Sequence, residues 1–251
     1  MTKLRSALKI LLLQVRQDEA TRLEELDGFV RYSQLAPEQF WSLNACDRPK
    51  FPPTCITGYD ALFIGGSSDA SVLLPDKYPF VEEAKALLRY CLEQEIPVFA
   101  SCFGFQLAVE ALGGKVILDP TRMEIGTFPI TLTAAAQSDL LLHDSPPWFW
   151  SVCGHKERAV VLPACCEPLA TTELCPYHAF RVVGKPFYGF QFHPEMDKAD
   201  LTARIARYRT RYLDEEVVLE ALLADLHDTA TANMLIHKFI DRIILCQDAQ
   251  A

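Results

Sequence analysis

Nine cysteines occur in the chain, and Cys102 is the one whose setting suits chemistry. It stands between an apolar run with strand character, IPVFAS at 96–101, and a segment of helical pattern, 102–114, closed by Gly113. In an open parallel sheet, ligands collect beyond the carboxyl ends of the strands. A sharp strand-to-helix turn lifts a nucleophile into that crevice. The helix that follows points its positive end and its free N–H groups at the sulfur, which favours the thiolate. Ala100, Ser101 and Gly104 are small enough to let such a turn pack against neighbouring strands. A buried structural cysteine would fit the same local pattern, so both readings stay open on this segment alone.

A second constellation lies at GFQFHPEM, 189–196. Extended backbone puts Phe190 and Phe192 on one side and Gln191 and His193 on the other. His193 and Glu195 are two residues apart and project from the same side. Pro194 between them excludes helix and restricts the backbone. A carboxylate placed this way can hydrogen-bond the imidazole and fix its tautomer and orientation. His-x-Glu alone is equally a surface turn, but together with a cysteine elbow the pair reads as nucleophile, base and orienting acid.

Around these residues the chain alternates short apolar runs with helical patterns. A first buried strand is expected at 9–14, a second at 59–66 ending in a glycine turn, a third at 96–101 and a short one at 115–118. Helical spacing runs through 78–94, with Val81, Ala84, Leu87, Leu88 and Cys91 on one face. This alternation predicts parallel βαβ units. From 124 to 192 the pattern changes to short strand-like runs, GTFPITLT, AVVLPA, AFRVV and FYGFQF, some of them antiparallel. The tail holds three amphipathic segments, within 202–213, 215–227 and 233–245. The expected fold is α/β: a flavodoxin-like three-layer sandwich with a mostly parallel central sheet, additional strands in the second half and a helical C-terminal appendage. The expected division is a domain at 1–197 and a helical extension at 198–251 packed on it.

Composition narrows the function classes. The chain has 251 residues and a formal net charge of −9. An acidic surface with no dense basic block argues against a nucleic-acid partner. The apolar run near the start falls well short of the roughly 20 residues needed to span a bilayer. Charged residues follow it in place of a cleavage site, so it is read as a strand and the protein as cytoplasmic, with no membrane association. The cysteines form no C-x-x-C pair, so no metal site and no cofactor is expected. No G-x-x-x-x-G-K-[ST] phosphate loop is present.

These residues resemble the class I glutamine amidotransferases, which carry a G-x-C-x-G-x-Q elbow and a later H-P-E. Here these read A-S-C-F-G-F-Q at 100–106 and F-H-P-E at 192–195. FIGGSSDASV at 63–72 is similar to the family's glycine turn, EIGTFPITLT at 124–133 to its E-x-G segment, and GHKERAVVLP at 154–163 to its H-x-D/E segment. The run 175–195 resembles the approach to the family's histidine. Three departures stand out: Ala100 for the first elbow glycine, His178 where a glutamine is common, and GHKE for a more usual S-H-x-D.

The resemblance implies a Cys102–His193–Glu195 triad acting on the side-chain amide of glutamine or another γ-glutamyl donor. It implies an oxyanion hole of backbone N–H groups from Phe103 and the Gly66–Ser67 turn. Gln106, one helical turn after Cys102, shares its face and is expected to line the donor pocket. For catalysis His155 is read as a partly exposed loop residue, although the resemblance would set it and Glu157 near a channel or partner surface. His143, His227 and His237 have no supporting pattern. Ammonia released here would need a separate acceptor-using synthetase protein. Two alternatives remain: a γ-glutamyl peptidase using the same triad, and a non-catalytic binding or regulatory module.

Overall fold

The structure is a computed structural model and describes residues 3–207 and 222–247. Its centre is a nine-stranded sheet. The parallel half is built from β1 (Ile10–Val15), β2 (Phe40–Asn44), β3 (Ala61–Ser67), β4 (Val98–Ser101) and β11 (Phe187–Phe190), in the order β2-β1-β3-β4-β11. The antiparallel half continues from β11 through β10 (Ala179–Val182), β9 (Cys166–Thr171) and β6 (Glu124–Leu132) to β7 (Trp148–His155).

Side-chain alternation explains why β1 is apolar at every position but Gln14. Leu11, Leu13 and Val15 face a core layer with Val81, Leu87 and Leu88 of α2 (Phe80–Glu93) and Phe105 of α3 (Phe103–Ala111). Ile10 and Leu12 face the opposite layer, with Phe29 of α1 (Glu19–Ser33) and Leu235 and Phe239 of α5 (Ala230–Phe239). A strand buried on both faces reads as a continuous hydrophobic run. Three layers result, helices on both sides of a mixed sheet, as the sequence predicts.

The C-terminal segment is part of this core. The Phe239 ring packs against Phe63 at 5.8 Å, Phe99 at 5.2 Å and Tyr188 at 6.0 Å between centroids. From Ile240 to Ile244 the helix widens into a π turn. The first expected tail segment begins with α4 (Lys198–Arg207); its end and most of 215–227 lie outside the described residues.

Two elements differ from the sequence reading. The short strand at 115–118, β5 (Lys115–Leu118), does not extend the βαβ series. It pairs antiparallel with β8 (Glu157–Val161) in a separate two-stranded sheet. Helix α1 has only a faint apolar signature, because its fully buried residues are Thr21, Glu25, Gly28, Phe29 and Ser33, with Leu26 and Val30 packed on the core from its half-buried flank. Its start is marked by Asp18, whose carboxylate accepts from the Thr21 N–H at 2.9 Å.

Candidate active site

Cys102 occupies the single residue between β4 and α3, at φ 49° and ψ −99°. This is a sparsely populated conformation for a residue with a Cβ, costing on the order of 1–3 kcal/mol. Its surroundings impose it. The Cys102 N–H donates to the Phe190 carbonyl at 2.7 Å, and its own carbonyl accepts from the Gln106 N–H at 3.1 Å. The turn is also pressed onto β3: a Cβ at Gly104 would lie 2.9 Å from Ile64 Cβ and 3.0 Å from the Ile64 carbonyl oxygen. Only glycine lets α3 start this close to the sheet. Ala100, in the elbow's first small position, is fully buried opposite Gly189.

Beyond β11 the chain stays extended. Gln191 N–H donates to the His178 carbonyl and His193 N–H to the Val152 carbonyl, both at 2.8 Å. The Phe190 and Phe192 rings lie 5.4 Å apart on one side, as alternation requires. On the other side the Gln191 amide nitrogen lies 4.0 Å from Cys102 Sγ. His193 Nδ1 and Glu195 Oε1 are 2.7 Å apart, and the Cys102 sulfur is near enough to His193 to act on its charge. The structure thus brings Cys102, His193 and Glu195 together, with all three buried.

Burial alone would disfavour the imidazolium of His193. The neighbouring Cys102 sulfur and Glu195 carboxylate outweigh it and raise the histidine to about 10. Burial would likewise raise Glu195, but the charge and hydrogen bond of His193 hold it below the usual carboxylate range.

Cys102 borders a cavity of about 250 Å³ whose wall also includes Ser67, Phe103, Gln106, His155 and Glu157. Gln106 is on the wall, and its amide donates to the Glu157 carbonyl at 2.9 Å. Ser67 and Phe103 border the cavity beside the sulfur. Gly66 needs correction: its N–H donates to Glu25 Oε1 at 3.1 Å, so it is not free to serve an oxyanion. His155 also differs from its reading as a loop residue. It ends β7, is 5% exposed, and its Nε2 lies 2.9 Å from Glu124 Oε2. His227 stacks on Trp150 at 3.7 Å, away from the triad.

Three supporting contacts are not legible in the sequence. Arg16, 3% exposed, donates to Glu25 Oε1 through Nε at 2.9 Å and a terminal nitrogen at 2.7 Å. Its other terminal nitrogen lies 3.2 Å from Ser68 Oγ. With the Glu25–Gly66 bond, this pair clamps the 66–68 turn from both sides. Asn233 of α5 donates to the carbonyls of Pro194 and Met196, both at 2.8 Å. Gly28 of α1 rests against the Glu195 backbone. Lone arginine–glutamate or asparagine positions carry no local signal; distant elements bring them here.

The profile of the glutamine amidotransferase class-I family matches residues 50–208. A GMP synthase (glutamine-hydrolyzing) of Vibrio atlanticus is 25% identical, over 90% of this chain and 47% of its own length. A separate glutamine-hydrolyzing GMP synthase subunit from Methanocaldococcus jannaschii is 31% identical over 47% of this chain and 61% of that protein. The chain spans about half the length of the GMP synthases it matches. A glutamine amidotransferase structure from Thermotoga maritima aligns with a TM-score of 0.72 at 20% identity, covering 94% of this chain and 98% of that one. Among the described residues no helix is long and apolar enough to cross a membrane.

Proposed function

The chain belongs to the class I glutamine amidotransferase family, and from that premise we propose that it hydrolyses the side-chain amide of glutamine through Cys102, His193 and Glu195. The observation that carries this reading is the positive-φ cysteine at the strand end beside a hydrogen-bonded His193–Glu195 pair. The Cys102 sulfur, its proton taken by His193, attacks the amide carbonyl. The tetrahedral oxyanion is received by the N–H groups of Phe103 and Ser67, which border the same cavity. His193 then gives its proton to the departing nitrogen, and ammonia leaves. A γ-glutamyl thioester remains on Cys102, and water activated by His193 releases glutamate. Glu195 orients the imidazole and stabilises its cation throughout. Gln106, with its amide on the Glu157 carbonyl, shapes the wall that receives the donor.

The ammonia would pass to a separate acceptor-using protein. Relatives that are themselves single subunits of a GMP synthase support looking for such a partner.

The test is glutamate release from glutamine, glutathione and simple γ-glutamyl dipeptides, with Cys102→Ala beside the wild type. Cys102-dependent release from glutamine, with little from peptides, is the expected result. Preference for peptides would reassign the site to a γ-glutamyl peptidase. Silence on every donor, with no thioester trapped from glutamine, would refute a stand-alone glutaminase.

A further inference from the structure

Beside the donor cavity, four side chains that can bind metal converge. Glu124 opens β6, Cys153 and His155 close β7, and His178 precedes β10. All four are buried, and one ligand-capable atom from each lies within 4.8 Å of the others. Glu124 Oε2 is 2.9 Å from His155 Nε2 and 2.5 Å from His178 Nε2.

The hydrogen count at His155 asks for a positive charge in this cluster. Its Nδ1 is 3.1 Å from the Glu157 carbonyl, which only accepts, so Nδ1 carries a hydrogen. A neutral ring then turns the lone pair of Nε2 toward the Glu124 carboxylate. That contact is favourable only if a second proton or a metal cation lies between them. The sulfur favours the cation. The Cys153 thiol belongs to the cluster but makes only a 4.0 Å contact with the Ser151 carbonyl, and a proton shared by histidine and carboxylate needs no thiol. The outer contacts at Glu124 and His155 agree, whereas His178 Nδ1 is buried with no hydrogen-bond partner among the described residues. Thr172 Oγ1 donates to Glu124 Oε1 at 2.6 Å, leaving Oε2 aimed inward, and the His155–Glu157 bond orients the ring. Such bonds orient ligands around metals.

We propose that Glu124, Cys153, His155 and His178 bind one divalent cation, Zn²⁺ before others. One thiolate, two imidazoles and one carboxylate suit zinc, whereas calcium and magnesium take oxygen ligands. On binding, Cys153 loses its proton to solvent, and its negative charge with that of Glu124 neutralises the cation. Zinc–ligand bonds of about 2.0–2.3 Å require Glu124 and the histidines to separate by less than about 1 Å. Four protein ligands close a tetrahedral shell, so the role is structural: the ion ties β6, β7 and the approach to β10 into the wall of the donor cavity. His155 borders that cavity and Cys153 a small void behind His193, which gives the ion two approaches. The proposal is independent of the glutaminase reading.

The test is metal content of the purified full chain by mass spectrometry, followed by chelator stripping and titration with Co²⁺. Expected are one zinc per chain, a near-ultraviolet thiolate-to-cobalt band with tetrahedral visible bands, and a lower thermal midpoint after stripping. Cys153→Ser should lose the near-ultraviolet band, His178→Gln should weaken binding further, and Thr172→Val should weaken it about 10–100-fold. Folded wild-type protein that carries no stoichiometric metal and shows no cobalt band overturns the proposal. Because the wild type gives the deciding readout, a variant that fails to fold does not obscure it.

Discussion

Gly28→Ala should damage the protein although helix propensity says the reverse. In an exposed helix interior the change would stabilise by about 1 kcal/mol. At this position a Cβ would lie 2.1 Å from the Glu195 carbonyl oxygen and 3.2 Å from its carbonyl carbon. Carbon and oxygen come no closer than about 3.3 Å without strain, so α1 and the His-Pro-Glu turn must part by about 1 Å. The turn cannot simply yield, because Asn233 holds the carbonyls on both sides of Glu195. Overpacking of this kind costs about 1–3 kcal/mol and outweighs the propensity gain, for a net loss of up to about 2 kcal/mol. The displacement also falls on the 2.7 Å His193–Glu195 bond, and a misplacement near 1 Å can lower turnover about 100-fold. Urea unfolding and glutaminase kcat of Gly28→Ala beside the wild type measure both effects. A variant more stable than wild type, with kcat unchanged, would refute the claim that α1 seats Glu195 for the proposed reaction.

Arg16→Met should destabilise by about 3–5 kcal/mol, because it leaves the fully buried Glu25 without its counter-charge. Arg16→Met with Glu25→Gln should recover most of that stability in urea unfolding while kcat stays low, since the 66–68 turn still lacks its clamp. Folded-state His193 lies at about 10 against an ordinary 6.5, so its stabilisation is complete below about pH 6.5 and is lost as pH rises toward 10. The urea midpoint should therefore fall across that window in the wild type and fall less in Cys102→Ala, where the sulfur that raises the histidine is gone. Equal slopes in the two proteins would count against the pairing. Phe239→Ala removes a ring packed on Phe63, Phe99 and Tyr188 and should cost about 3–5 kcal/mol by denaturant titration. A loss below about 1 kcal/mol would mean that the C-terminal helix is not part of the core.

Strong local pattern explains which elements can be read in advance. β1 (Gln14 aside), β3 and β4 are dominated by apolar or small residues on both faces, α2 carries its apolar residues at helical spacing, and the residues of the elbow and of His-Pro-Glu are adjacent in the chain. By contrast, α1 leaves only a short apolar patch because most of its fully buried residues are polar or small. β5 joins a different sheet from the one its position suggests, because pairing partners leave no trace in four residues. Gly66 fails as an oxyanion donor for a related reason: which way its N–H points depends on Glu25, forty-one residues earlier.

The sequence by itself determined the α/β layering, the strand-to-helix junction at Cys102 and the two-residue spacing of His193 and Glu195, because each is carried by residues near one another in the chain. Only the tertiary structure decided what holds that chemistry in place. Arg16 and Glu25 at the 66–68 turn, Gly28 under Glu195, Asn233 behind Pro194, and the meeting of Glu124, Cys153, His155 and His178 all join elements far apart in the chain. Buried polar groups find their partners across the core, and that pairing follows from how the elements pack rather than from local periodicity.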